Sequence, residues 1–90
     1  MFTSWGAETA KRFAEQDIRT ALETMEENAD KYGVVLRAKG IVACDDGSWL
    51  HFDYIPGEID VRRGGADVTG RLCVIGSRLD KAALAALLGV

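Results

Sequence analysis

The sequence predicts an α+β fold: a mixed, largely antiparallel sheet of about five strands with two helices packed on one face. Three observations lead to this prediction. An apolar stripe at helical spacing occupies residues 13–31, short apolar runs separated by turn residues fill the middle of the chain, and a capped helical segment ends it. The expected order of elements is β-α-β-β-β-β-α.

Length and composition indicate one folded domain spanning residues 1–90. The chain has 90 residues, 48% apolar and 28% charged, with a single proline, so disorder is not expected. No apolar run approaches the roughly 18 residues that span a bilayer, and the N-terminus lacks the pattern of a signal peptide. Cys44 and Cys73 are too few for a disulfide framework. We therefore expect a cytoplasmic protein with reduced thiols and no membrane partner.

The net charge of -3 is unevenly distributed. Residues 1–30 hold seven acidic and three basic side chains, whereas residues 31–90 hold seven acidic and eight basic ones. Binding to a phosphate backbone requires lysines and arginines clustered on one face, and neither half of the chain is basic enough. A nucleic-acid partner is therefore not expected.

The segment 13–31 predicts an amphipathic helix. Its apolar residues recur at helical spacing: Ala14, Ile18, Ala21, Leu22, Met25 and Ala29. Glu15 and Arg19 form one of three oppositely charged pairs four residues apart, and Gly33 stands where a glycine cap is expected. The pattern alone leaves the start open between a long helix from about Ala7 and a short strand over residues 2–8.

The middle of the chain predicts a β-hairpin, because apolar runs flank Asp46-Gly47, a strong turn signal. We expect these two residues to form the loop. That register assigns two cross-strand pairs to the core face, Ala43 with Leu50 and Ile41 with Phe52. It assigns two others to the opposite face, Cys44 with Trp49 and Val42 with His51.

Further signals complete the predicted sheet and the last helix. Pro56-Gly57 predicts a tight turn, and residues 59–62 alternate as in a half-exposed strand. Residues 72–75 form a continuous apolar run, which predicts a strand buried on both faces. Asp80 is placed to cap a helix over residues 81–88.

Cys44 and His51 of the predicted hairpin are the residues most suited to metal binding or catalysis, and they allow two interpretations. There is one histidine, His51, and there is no C-x-x-C pair, whereas a metal site needs three or four ligands. Cys44 is either a small apolar strand residue or shares a strand face with His51 in a weak metal or small-ligand site. Asp53 is the nearest group that could orient His51, and the sequence supplies no further partner for catalysis. We predict no catalytic and no metal-binding residue.

Glycine-rich segments also fail to predict a nucleotide site. The sequence contains no G-x-x-x-x-G-K-[ST] motif. Residues 76–80 join a strand to a helix in a geometry that suits an anion, but Asp80 at the cap would repel it. A capped strand-to-helix turn is the favoured interpretation, and no cofactor-binding residue is predicted.

Four residues are candidates for contact with a partner or ligand: Arg37, Lys39, Trp49 and His51. Arg37 and Lys39 alternate on one strand face, which indicates either a solvated face that prevents edge-to-edge pairing or a contact with an anion or partner. Trp5 and Trp49 are either interface anchors or core residues.

Several segments together resemble the C-terminal domain of CobW-type GTP-binding proteins. They are Leu36–Ile41 (L-R-A-K-G-I), Gly47–Trp49 (G-S-W), Phe52–Glu58 (F-D-Y-I-P-G-E), Gly70–Gly76 (G-R-L-C-V-I-G) and Leu79–Leu84 (L-D-K-A-A-L). The R-A-K-G and V-I-G strands are the most specific parts. The resemblance implies a strand from Phe2 to about Glu8 and a helix that starts near Ala14.

The resemblance also implies a function. CobW-type proteins join an N-terminal P-loop GTPase domain to this domain and are associated with cobalt insertion in cobalamin synthesis or with zinc delivery. Their nucleotide and metal ligands, including a C-x-C-C motif, lie in the GTPase half. GTP, Mg and Zn or Co are thus expected only for the parent protein, and none is assigned to this domain. The implied partners are that GTPase domain and a metalloprotein client.

Two departures from the family accompany the resemblance. The chain begins at Met1 without a GTPase segment, so we expect either a separately encoded domain or a piece of a longer protein. It also lacks the histidine-rich stretches of some relatives, which weakens a direct metal-buffering role. The expected function is that of a non-enzymatic accessory domain for protein interaction or regulation. The alternative is a small-ligand or metal-binding module on the Cys44 and His51 strand face.

Overall fold

The computed structural model describes all residues, 1–90. The elements are β1 (Phe2–Thr9), β2 (Arg12–Phe13), α1 (Glu15–Glu27), α2 (Ala29–Tyr32), β3 (Val34–Cys44), β4 (Trp49–Ile55), β5 (Glu58–Arg63), β6 (Gly70–Ser77) and α3 (Lys81–Leu88). The predicted α+β class and element order are confirmed, with β2 and α2 as additions.

The sheet is built around β3, its longest strand. The strand order is β1-β6-β3-β4-β5, and all of these neighbours are antiparallel. The short β2 runs parallel to the end of β3, where Arg12 pairs with Ala43 and Phe13 with Cys44. It occupies the stretch of β3 that β6 does not reach, since the last pair with β6 joins Ile41 to Arg71. A two-residue strand leaves no periodic signal, which is why the sequence did not predict it.

The N-terminal segment forms a strand, as the second of the two alternatives proposed. The helix then begins at Glu15, where the Asp17 carboxylate accepts a hydrogen bond of 3.2 Å from the Ala14 N–H. The single helix predicted to run to residue 31 is wrong, because the chain breaks at Asn28 with φ -129° and ψ 56°. After this break Tyr32 is buried and Ala29 is exposed, the reverse of what a continuous stripe requires.

The predicted hairpin register is wrong by one residue. The loop has three residues, 45–47, because the Cys44 N–H donates to the Ser48 carbonyl (2.8 Å) and the Gly47 N–H donates to the Cys44 carbonyl (3.2 Å). Gly47 takes a φ of 88°, typical of the glycine that ends a three-residue hairpin loop. Val42 therefore pairs with Leu50.

This shift exchanges the two faces of β3 relative to the prediction, because side chains alternate with a period of two, while Leu50 and Phe52 of β4 enter the core as predicted. The pairs Ala43 with Trp49 and Ile41 with His51 lie on the face away from the helices. The residues that enter the core are Val42, Cys44, Leu50 and Phe52.

A β-bulge adjusts the first half of β3. Val35 pairs with Gly76 but Arg37 pairs with Ile75, so Leu36 is an extra residue. The bulge lets both Val35 and Ala38 enter the core, although they are three residues apart. Leu36 and Arg37 are left exposed.

The core lies on one face of the sheet only. The three helices cover this face, and the largest fully buried side chains come from both layers: Ile18, Leu22, Met25, Val42, Leu50, Val74 and Leu84. In β6, Leu72 and Val74 are buried, whereas Cys73 is half-buried and Ile75 is 38% exposed. The prediction that β6 is buried on both faces is wrong, because no layer covers the second face.

Polar contacts fasten the helices to the sheet. The Glu26 carboxylate on α1 accepts hydrogen bonds from the Tyr54 hydroxyl (3.1 Å) and from the Gly57 N–H (2.6 Å). Burial, with this hydrogen bond, raises the pKa of Tyr54 to about 12. Glu15 pairs with Arg19, as predicted, and also with Arg63 on β5.

The predicted ends of α3 are confirmed. The Ala83 N–H donates to the Asp80 carboxylate (3.0 Å), and Gly89 closes the helix in the left-handed conformation. Residues 76–80 are therefore a capped strand-to-helix turn, because the Asp80 side chain accepts from an amide in the first turn of the helix.

A substitution at Gly33 tests the close packing between the end of α2 and the segment that precedes α3. Its φ is 94°, and a Cβ there would lie 2.5 Å from the Arg78 carbonyl oxygen. We expect Gly33→Ala to lower the free energy of unfolding by about 2–3 kcal/mol. Gly65→Ala is the control, since no atom lies within 4 Å and φ is ordinary. Urea unfolding measures both, and equal losses would contradict the packing described.

Arg63 tests the link between α1 and the hairpin, because it pairs with both Glu15 and Asp46. Hydrogen bonds from Arg63 and then Arg19 hold the pKa of Glu15 below its ordinary value of 4.5. The stabilisation from this carboxylate is thus complete above about pH 4.5 and is lost as the pH falls through the lowered pKa. Arg63→Gln should melt a few degrees lower than wild type at neutral pH. The difference should decrease as the pH falls through the lowered pKa of Glu15, while the pair with Asp46, whose pKa is lowered further by hydrogen bonds from Ser48 and then Arg63, persists.

Thermal melts from neutral to acidic pH measure this difference. Lys81→Gln is the control, because Lys81 is exposed and belongs to none of the ion pairs. A deficit of Arg63→Gln that stays unchanged as Glu15 is protonated would show that the ion pair with Glu15 does not contribute to stability.

Candidate partner-binding face

The face of the sheet opposite the helices is uncovered, and we call it the open face. It is formed by Arg37, Lys39, Ile41 and Ala43 of β3 and by the residues paired with them on the neighbouring strands. Because paired residues of adjacent strands lie side by side, these side chains form rows across the sheet.

Two of these rows carry most of the charge in the centre of the open face. The first row runs from β6 to β5 and consists of Arg71, Ile41, His51 and Arg62. The second row runs in the same direction and consists of Cys73, Lys39, Asp53 and Asp60.

A shallow depression of about 390 Å³ lies between these rows. Three permanently cationic side chains line it, Lys39, Arg62 and Arg71, against the single carboxylate of Asp53. With His51 neutral, the lining carries a formal charge of three minus one, +2, in a protein whose net charge is -3. The depression is therefore a local positive region on an acidic domain.

Ion pairs fix some of these charges in place. Asp53 accepts from Arg37 (3.5 Å) and from Arg62 (3.1 Å), and the hydrogen bond to Asp53 raises the pKa of Arg62 further. Arg71 lies 3.4 Å from Asp67 and is 58% exposed. Lys39 takes part in no ion pair. Lys39 is therefore available to a ligand. Arg71 is also available, because its one ion pair is exposed and contributes little energy.

The structure places all four residues predicted to contact a partner on the open face. Lys39 and His51 line the depression, where the His51 ring nitrogen Nε2 lies 2.8 Å from the Gly65 carbonyl oxygen. Arg37 and Trp49 lie on the same face outside it. Whether any of the four contacts a partner remains a prediction. Trp5 lies on the other face, half-buried against the core.

Arg62, Arg71 and Cys73 also line the depression, and the sequence did not predict them as site residues. Each lies on a strand whose neighbours depend on the strand order β6-β3-β4-β5. The only local signal is that these residues alternate with buried ones, which identifies an outward face but no neighbour.

The alternative site that paired Cys44 with His51 is wrong, because these residues lie on opposite faces of the sheet. Cys44 is 2% exposed in the core, whereas His51 lies on the open face opposite Ile41. Asp53 is held by arginines and not by His51. No group of three or more His, Cys, Asp or Glu side chains is placed to hold a metal ion.

A family model for the C-terminal domain of the cobalamin synthesis protein CobW matches residues 2–90. The chain belongs to this family. The match is to the C-terminal domain of the family's proteins. No helix of this CobW C-terminal domain combines the length and apolar character needed to cross a membrane.

Solved structures show the same fold. The domain is similar to the Zn(II)-bound YjiA GTPase from E. coli, with a TM-score of 0.77 and 19% identity over 98% of this chain and 29% of that one. A Zn(II)-bound triple mutant of YjiA gives a TM-score of 0.79, with the same identity and coverage. The chain spans less than a third of these proteins, and at this identity the likeness shows the fold alone. No curated protein matches the chain.

Thiol labelling tests which cysteine lies on the open face. Cys73 is half-buried there, and Cys44 is buried in the core. We expect a thiol reagent such as DTNB to modify one cysteine of the native protein at least about tenfold faster than the other, which needs local opening. Cys73→Ser should remove the fast phase and Cys44→Ser should keep it. The opposite result would restore the predicted hairpin register.

Proposed function

We propose that this chain is a non-catalytic accessory domain, for protein interaction or regulation, of a CobW-type GTPase that takes part in delivery of cobalt or zinc or in cobalamin synthesis. The observation that carries the proposal is the uncovered face of its sheet. Sheets of this kind bury one face on a core and expose the other to water or to a partner. A partner is favoured here because large apolar side chains remain exposed at one end of that face.

These side chains form a patch that we call the apolar corner: Phe2, Val34, Leu36 and Ile75. Phe2 and Val34 both pair with Ser77 and so flank it, and Ile75 follows on the same strand. Phe2 is 71% exposed, and Val34 is 49% exposed. Contiguous exposed apolar residues on a small domain are typical of interaction sites.

We propose the GTPase domain of the parent protein as the occupant of this corner. The matched family model describes a C-terminal domain, so a GTPase domain in the same protein would join on the N-terminal side. That side is the start of β1, where Phe2 lies in the corner itself. Docking there needs only a short connection and would raise the effective concentration of the two domains to the millimolar range.

The proposal divides the chemistry between the domains. GTP, Mg and the delivered metal would bind in the GTPase domain, in the cytoplasm, while this domain would contribute a binding surface. YjiA, whose C-terminal part shares this fold, is a GTPase bound to Zn(II). The sequence of this chain contains no P-loop motif, which supports a role without nucleotide chemistry.

Titration of the separately produced GTPase domain into the isotope-labelled chain tests this function by NMR. We expect weak association, with shift changes centred on the apolar corner. Ile75→Glu should weaken it at least about tenfold by placing a charge in a desolvated contact. Val68→Glu is the control, since Val68 is an equally apolar residue, 95% exposed, in the loop before β6. No association at high micromolar concentration would count against the proposal.

A further inference from the structure

We propose that the depression on the open face binds an extended acidic segment of a partner protein, with two carboxylates spaced two residues apart. The sites for these carboxylates are Lys39 and Arg71. The inference does not depend on a GTPase domain at the apolar corner, because it uses different residues of the sheet.

The spacing of the two cations carries the inference. Arg71 pairs with Ile41, and Lys39 pairs with Cys73, so the two cations are diagonal neighbours across β3 and β6. Diagonal neighbours on one face of an antiparallel pair lie about 7–8 Å apart. In an extended peptide, side chains two residues apart project from the same face and are separated by about 6.6–6.8 Å. These two backbone spacings differ by about 1 Å or less, which the long Lys39 and Arg71 side chains can accommodate.

The floor between the two cations is partly apolar. Ile41 and Cys73 are half-buried and line the depression between Lys39 and Arg71. A peptide lying over them would exclude water from the flanking ion pairs and thereby strengthen them. Lys39 would need to release no internal partner, and Arg71 would exchange one exposed ion pair with Asp67.

The charge pattern favours an acidic peptide over other anions. The depression holds only three cations, and they are interspersed with Asp53, whereas binding to a phosphate backbone needs a longer series of lysines and arginines. The depression is shallow and open on a sheet, so a small anion would stay largely solvated. A peptide chain would contact the flat surface on both sides of the depression, and electrostatic complementarity would set its position.

Asp53 is the only carboxylate in the lining, and it opposes this binding. It neutralises part of the charge of Arg37 and Arg62 through its two ion pairs. Its removal leaves Arg37 without an ion pair and Arg62 paired only with Asp60, so the positive charge facing an acidic ligand increases. Asp53→Asn should therefore tighten binding, an effect that a damaged fold would not produce.

The probe is a capped peptide of four Glu-Thr repeats, titrated into the labelled chain and followed by NMR. The matched control peptide has two Glu-Glu-Thr-Thr repeats, with the same composition and charge but no two glutamates two residues apart. We expect the alternating peptide to bind at least about threefold more tightly. Equal affinity for the two peptides would overturn the spacing argument.

Substitutions of the charged residues test whether the peptide binds in the depression. Lys39→Gln and Arg71→Gln should each weaken binding of the alternating peptide about threefold to fivefold, and Asp53→Asn should strengthen it about twofold to threefold. Lys81→Gln, on α3, should leave it unchanged. Lys39→Arg retains the charge and should bind the peptide like wild type. That result would show that the weaker binding of Lys39→Gln is caused by the lost charge and not by misfolding.

Two outcomes would overturn the proposal. One is binding that the Lys39→Gln, Arg71→Gln double variant retains in full. The other is displacement of the peptide by an equal concentration of inorganic phosphate, which would identify a site for small anions and not for a peptide. Loss of GTPase docking in Phe2→Glu with unchanged peptide binding would separate this inference from the proposed function. Phe2 lies on β1, two strands away from Lys39, whereas Ile75→Glu would place a carboxylate diagonal to Lys39.

Discussion

Burial on a single face of the sheet is the constraint on which the rest of this structure depends. The helices cover one side of β3 and its neighbours, so each strand must present alternate apolar residues to that side. β3 lies at the centre, pairs with β4 and β6 along its length, and contacts β2 at its end. A change of one residue in its register would expose Val42 and bury Lys39, so the register is strongly specified.

Two irregularities keep this register. The three-residue loop with Gly47 directs Val42 and Leu50 to the core together. The bulge at Leu36 then shifts the remainder of β3 by one residue, so that Val35 also reaches the core. The same two features direct Arg37, Lys39 and Ile41 to the open face. The composition of the open face is therefore a consequence of how the core is packed.

The charges divide between the two layers of the domain. The first 30 residues hold seven acidic and only three basic side chains. Two of these acidic residues hold α1 against the sheet: Glu15 pairs with Arg63 on β5, and Glu26 accepts hydrogen bonds from Tyr54 and Gly57. The opposite surface carries Lys39, Arg62 and Arg71, with Asp53 as the one carboxylate that lines the same depression. Exposed ion pairs add little stability, so the positive region is not needed to hold the fold. A surface that the fold does not require is available for binding, which is why we place the acidic segment of a partner there.

Local physics determined what the sequence alone could predict: the α+β class, the strand limits, the capped α3 and the turns at Pro56-Gly57 and Gly33. These depend on periodicity and on conformations that few residues adopt. The same alternation assigned Trp49 and His51 to the outward face, whereas it placed Lys39 on the same face as Ile41, which was predicted to be core. The sequence also contained the motifs of the CobW C-terminal family, which the match over residues 2–90 bears out.

Only the tertiary structure decided which residues became neighbours. The hairpin loop has three residues and not the two that were predicted, which changes the register by one. As a result Cys44 lies in the core, while His51 lies on the open face. The grouping of Arg71 and Cys73 with Lys39 required β6 to insert between β1 and β3, a long-range pairing that leaves no trace in local sequence. Strand order depends on how all the strands together pack against the helices, and a short stretch of sequence carries no information about such long-range packing.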